Sequence, residues 1–151
     1  HYPVTFANSP ARFAMRPFDH IPVSTVRFWA WLDTSVTWMP AIPPLSIYFV
    51  NGLFWMNGLV GGVAQAPVFE PIHLMFVSLM GSLVTLWCLA RILFTAPWMA
   101  VVDGWGRLWI GATLVWIILA MGGPPVLWMF VFTEWIGAFA QLRAAYFPKK
   151  A

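Results

Sequence analysis

The sequence predicts an all-α membrane protein: a four-transmembrane-helix bundle with an N-terminal interfacial amphipathic segment. Three observations carry this. Of 151 residues, 61% are apolar and only 9% charged, whereas a soluble domain carries roughly 45–50% and about 25%. Four stretches approach the roughly 20 apolar residues needed to cross a bilayer. All eight Lys and Arg residues fall on one side of the arrangement those stretches imply. The composition excludes an ordinary soluble enzyme and a disordered chain. A net charge of +3 with no basic patch excludes a nucleic-acid partner.

Residues 1–43 form the first unit, an arm rich in Pro and aromatic residues. Between Pro22 and Pro40, the residues Phe28, Trp29, Leu32, Val36 and Met39 recur at helical spacing, with Arg27, Asp33, Thr34 and Thr37 on other faces. Proline suits both ends of such a helix. Its two charges and several hydroxyls predict a segment lying at the headgroup level, able to dock a partner or simply to float there. The first thirty residues include Arg12, Arg16, Asp19 and Arg27 without an uninterrupted apolar core, so no signal peptide is expected.

Residues 44–151 form the second unit, with spans predicted at 45–65, 72–94, 105–121 and 126–146. Proline and glycine punctuate them: Pro43-Pro44, then Pro67 and Pro71, then Pro97 and Gly104, then Gly122-Gly123-Pro124-Pro125. The stretches do not alternate as membrane β-strands do. Arg12, Arg16 and Arg27 precede the first span, Arg91 and Arg107 flank the second connection, and Arg143, Lys149 and Lys150 follow the last. The other connections hold no basic residue. Four spans with both termini cytoplasmic follow from the positive-inside rule; a bacterial inner membrane is the expected location.

Candidate chemistry is sparse. Glu134 is the one acid deep in a predicted span, and such a residue is costly enough to suggest function. It lies eight residues, or about 12 Å, into the fourth span. Asn57 lies twelve residues, about 18 Å, into the first from the opposite side. In a hydrocarbon layer of about 30 Å the two depths coincide. Asn57 and Glu134, with Thr85, are therefore expected to meet mid-membrane, as a polar-ligand or proton-handling site or as a structural clasp. Ser78, Ser82 and Thr85 share one helix face and are expected to bond backbone. Gly58 and Gly62 form a small-xxx-small pair suited to helix packing.

Arg91, Asp103 and Arg107 are expected to form an ion pair, or a headgroup site, at the inner interface. His73 opens the second span beside Glu70 and is a candidate axial ligand for a pigment or haem. With a single cysteine, Cys88, and no metal-ligand spacing, neither a disulfide framework nor a metal site is expected. The eleven Trp residues suit interfacial belts.

Arg91 ending one span, Gly106-Arg107 opening the next, the bare Gly122-Gly123-Pro124 turn and Thr133-Glu134 in the last helix resemble the small four-helix bacterial membrane proteins of DoxX-like and BphX-like type, over residues 45–146. The resemblance implies a four-helix bundle and a group associated with quinone-linked oxidation, and transfers no catalytic residues. Three functions follow as expectations. The leading one is a non-catalytic accessory subunit of a larger membrane complex, of electron transport or photosynthesis, docked through the arm and helix faces. The others are a binder of quinone, pigment or lipid between the helices, and a proton-coupled transporter using Glu134.

Overall fold

The computed structural model describes residues 18–63 and 66–147. Arg12, Arg16, Lys149 and Lys150, which entered the charge argument, lie outside the described residues, as does Gln65, the expected end of the first span. The described residues form five helices and no strand: α1 Val23–Thr37, α2 Pro43–Leu59, α3 Pro71–Leu93, α4 Met99–Met121 and α5 Leu127–Tyr146. Two of them, α3 and α4, are long and apolar enough to cross a membrane. At 17 residues α2 is shorter, and α5 carries Glu134, Gln141 and Arg143.

Two helix ends differ from the expected boundaries, each for a physical reason. Helix α2 stops at Leu59 rather than near residue 65, because the chain reverses at Gly61, whose φ of 78° favours glycine. Helix α4 starts at Met99, six residues before the expected 105, and runs through Asp103, Gly104 and Gly106. Gly104 reads as a breaker, yet it lies within the helix and faces Leu142 of α5 closely, and Asp103 is paired with partners inside the bundle. The far end of α4 closes as expected, with Gly122 left-handed at φ 68° and the Gly123 amide bonded to the Ile117 carbonyl at 3.0 Å.

The helices form two layers. Helices α4 and α5 pack on each other along their length. Helix α1 runs antiparallel to α3, with Arg27 Nε donating to Thr95 Oγ1 at 2.9 Å near one end and Thr85 Oγ1 donating to the Thr37 carbonyl at 3.1 Å near the other. Helix α2 continues the same layer and packs on α3. Helix α1 is thus built into the bundle rather than floating beside it. Its buried residues are Val26, Trp29 and Ala30, Leu32 and Val36 face the space between the helices, and Phe28 is exposed.

Large apolar side chains such as Trp109, Trp116, Phe132 and Phe139 are exposed, whereas Ser46, Asn57, Ser78, Arg91, Asp103, Arg107 and Gln141 are buried. Close approaches occur at small residues. A Cβ at Gly81 would stand 2.5 Å from the Ala41 amide nitrogen, and one at Gly137 would stand 3.0 Å from Arg107 Cδ. The Gly58/Gly62 pair does not pack helices: Gly58 faces open space and Gly62 adjoins the Asn57 side chain.

Candidate functional site: a charged floor beneath an apolar cavity

The two layers meet at a cluster of five ionisable side chains. Asp33 comes from α1, Arg91 from α3, Asp103 and Arg107 from α4, and Glu134 from α5. Asp103 is the hub. Its Oδ2 lies 2.6 Å from Arg91 Nη1 and accepts from Arg107 Nε at 2.9 Å and from Gln141 Nε2 at 2.7 Å. Its Oδ1 accepts from Trp87 Nε1 at 3.1 Å. Asp33 Oδ2 accepts from Arg91 Nη2 at 2.5 Å and also pairs with Arg107 Nη2. Glu134 Oε2 accepts from Arg107 Nη1 at 3.2 Å.

Local sequence explains the convergence. Asp103 and Arg107 are four residues apart on one helix and therefore share a face. On α5 Gly137 presents no side chain, so Arg107 lies against that helix while reaching Glu134, three residues earlier. The Arg107 guanidinium stacks over Trp29 with 5.2 Å to the ring centroid, and Arg91 over Trp87 with 5.8 Å.

The cluster floors a cavity of about 710 Å³ between the two layers. Leu53 and Met56 of α2, Leu83 and Val84 of α3, Ile110 of α4 and Met129 and Phe130 of α5 wall it. Next to Met56, Asn57 Oδ1 accepts from the Val126 amide at 3.1 Å. One layer thereby caps the first helical turn of the other. The floor of the cavity is charged, and apolar side chains line most of the rest.

The sequence-predicted residues distribute as follows. Arg91, Asp103 and Arg107 come together, buried within the bundle. Asn57, Thr85 and Glu134 do not meet. Asn57 bonds at the start of α5, and Glu134 lies eight residues, about 12 Å, further along that helix. The depth argument placed Asn57 inside a span ending near residue 65; with α2 ending at Leu59, Asn57 sits in its last turn. Thr85 bonds the C-terminal carbonyl of α1, and Ser82 Oγ donates to the Ala41 carbonyl at 3.4 Å. Of the three, Glu134 alone lines the cavity. His73 Nδ1 accepts the Glu70 amide at 3.2 Å, which leaves the ring proton on Nε2 and makes this cap and axial ligation mutually exclusive.

Comparison with protein-family models, characterised proteins and solved structures returns no match. The site must be read from its own chemistry. Among the described residues no group of three or more His, Cys, Asp or Glu is arranged to hold a metal ion.

Asp33, Gln141 and the two stacking tryptophans are the participants sequence reasoning missed. One signal could have found Asp33. The chain has five acids, Asp19, Asp33, Glu70, Asp103 and Glu134. Two arginines inside apolar helices need acids as partners, and Asp33 follows Val26, Trp29 and Ala30 at i+7, i+4 and i+3.

Proposed function

We propose that this chain is an integral membrane protein that binds a small amphiphilic molecule, head toward the ion cluster and tail between the layers. The observation that carries the reading is the cavity itself: a polar floor of five charged side chains beneath apolar walls, large enough for a small ligand. In this reading α1 and α2 form one broken crossing and α3, α4 and α5 the other three. The outward apolar side chains support it, since a soluble protein does not expose so much apolar surface. Both termini are assigned to the cytoplasmic side, supported by Arg27 and Arg143 near one end, where His20 Nε2 contacts the Ala145 carbonyl at 2.9 Å.

A relationship to the DoxX-like proteins belongs with this proposal; its motif residues Arg91, Arg107 and Glu134 all fall in the cluster. An accessory-subunit role draws on the exposed apolar faces alone, which suit lipid equally well, so the cavity favours ligand binding.

Gly106 provides the test. It lines the cavity, and a Cβ there meets nothing within 4 Å. Gly106→Leu therefore adds bulk to the cavity from a position where its Cβ meets no neighbour. Organic extraction and mass spectrometry of the purified full chain are expected to find a small molecule retained by the wild type and depleted in the variant. Equal retention by both, or none by either, refutes the reading.

A further inference from the structure

We infer that the head group this cavity takes is uncharged and presents hydrogen-bond-acceptor oxygens, as in an ester, ketone or ether, rather than a carboxylate, phosphate or ammonium. The inference rests on the binding role proposed above and narrows it to one ligand class.

Two independent observations carry it. The first is the charge count. Arg91 and Arg107 are faced by Asp33 from α1, Asp103 from α4 and Glu134 from α5, while the α2 residues at the cavity contribute no charge. Two cations against three acids leave no surplus positive charge, whichever protonation state Glu134 takes. An anionic head would enter a site of low dielectric holding uncompensated carboxylate and no free cation, which is strongly unfavourable.

The second observation is an unpartnered donor. Arg91 lines the cavity and is 1% exposed, yet its Nε has no hydrogen-bond partner. Its Nη1 lies close to Asp103 without hydrogen-bond alignment. Buried donors of this kind call for an acceptor. A cationic head would bring only donors, or none, to a guanidinium already lacking an acceptor. A neutral acceptor satisfies both conditions at once.

The test uses one tail with four heads: methyl dodecanoate, dodecanesulfonate, dodecyltrimethylammonium and dodecane. Each is titrated into the full chain in phosphatidylcholine nanodiscs, and partition into empty discs is subtracted. The ester is expected to bind saturably at one site, at least tenfold tighter than each of the other three. Its ¹³C-labelled carbonyl stretch is expected to move to lower frequency on binding, as a hydrogen-bonded ester does. A sulfonate or ammonium that matches the ester overturns the inference while leaving the cavity reading intact. So does dodecane matching it, or an unshifted carbonyl band. If none of the four binds saturably, the cavity reading itself falls. The wild-type chain decides every arm, so no variant need fold.

Discussion

Asp103→Asn tests the hub of the cluster with an isosteric change. Asp103 offers two oxygens to three donors, Arg107 and Gln141 on one and Trp87 on the other, with the Arg91 guanidinium paired beside them. An asparagine must turn its NH2 toward one set. Facing Arg107 and Gln141, it sets donor against donors at 2.7–2.9 Å; facing Trp87, it sets donor against donor there and still removes the charge. Interhelical hydrogen bonds in membranes average about 0.6 kcal/mol, which taken alone would make the change mild. Removing one member of a buried ion pair costs about 3–5 kcal/mol. The second figure should govern because the partners are guanidinium groups with no water to turn to. Asp33 still bridges both arginines in the variant, so a loss of about 3 kcal/mol is expected, at the low end of that range. Reversible unfolding in detergent micelles, followed by circular dichroism, measures it. Asp33→Asn, at a residue 17% exposed that contacts only the two arginines, should cost less. A loss below about 0.5 kcal/mol for Asp103→Asn, or the reverse order of the two variants, would refute the cluster as the clamp between layers.

Three further outcomes are expected. Gly81→Ala should destabilise by about 2–3 kcal/mol in the same unfolding assay, because its Cβ would meet Pro40 and Ala41 backbone, which cannot move aside as a side chain can. Thr85→Val should cost about 1 kcal/mol by freeing the Thr37 carbonyl, and Ser82→Ala less, since its bond is longer at 3.4 Å. Asn57→Leu should orphan the Val126 amide at a cost of about 1–3 kcal/mol, and hydrogen exchange in the first turn of α5 should accelerate; unchanged exchange there would remove Asn57 from its capping role.

Helices α3 and α5 were legible almost to the residue, since 72–94 and 126–146 lie within one residue of Pro71–Leu93 and Leu127–Tyr146 at each end. In each case a proline-bearing turn opens a continuous apolar run. The start of α4 was not legible, because Gly104 reads as a break before the span. Asp103 and Arg107 instead lie within a helix that packs on α5, and their partners come from positions 33, 91, 134 and 141, which no local window joins. The placement of α1 also differs. The expected stripe is divided: Trp29 is buried, Leu32 and Val36 line the cavity beside Asp33, and Phe28 faces out, so a helix expected at the headgroup level is part of the bundle instead. The positive-inside argument also changes, because Arg91 and Arg107 are committed to carboxylates inside the bundle. Arg27 and Arg143 are the described basic residues that remain for it.

The sequence left open whether a polar group in the bundle is a binding site or a clasp, and the geometry makes these one object. The layers meet through the ion cluster, the Asn57 cap and an apolar cluster of Ile21, Val26, Met99, Ala100 and Ala145. The first of these also forms the floor on which a ligand would rest. A ligand that engages Arg91 without displacing Asp33 or Asp103 adds a contact to the clamp and stabilises the folded state by mass action. A ligand that competes for those carboxylates opens the clamp and destabilises it. The sign of the change in melting temperature on adding a saturating ligand separates the two. With Asp33 and Asp103 each shared between two guanidinium groups and Arg91 Nε free, the expected sign is an increase. A decrease would mean that the head group reaches past the arginine to its acids.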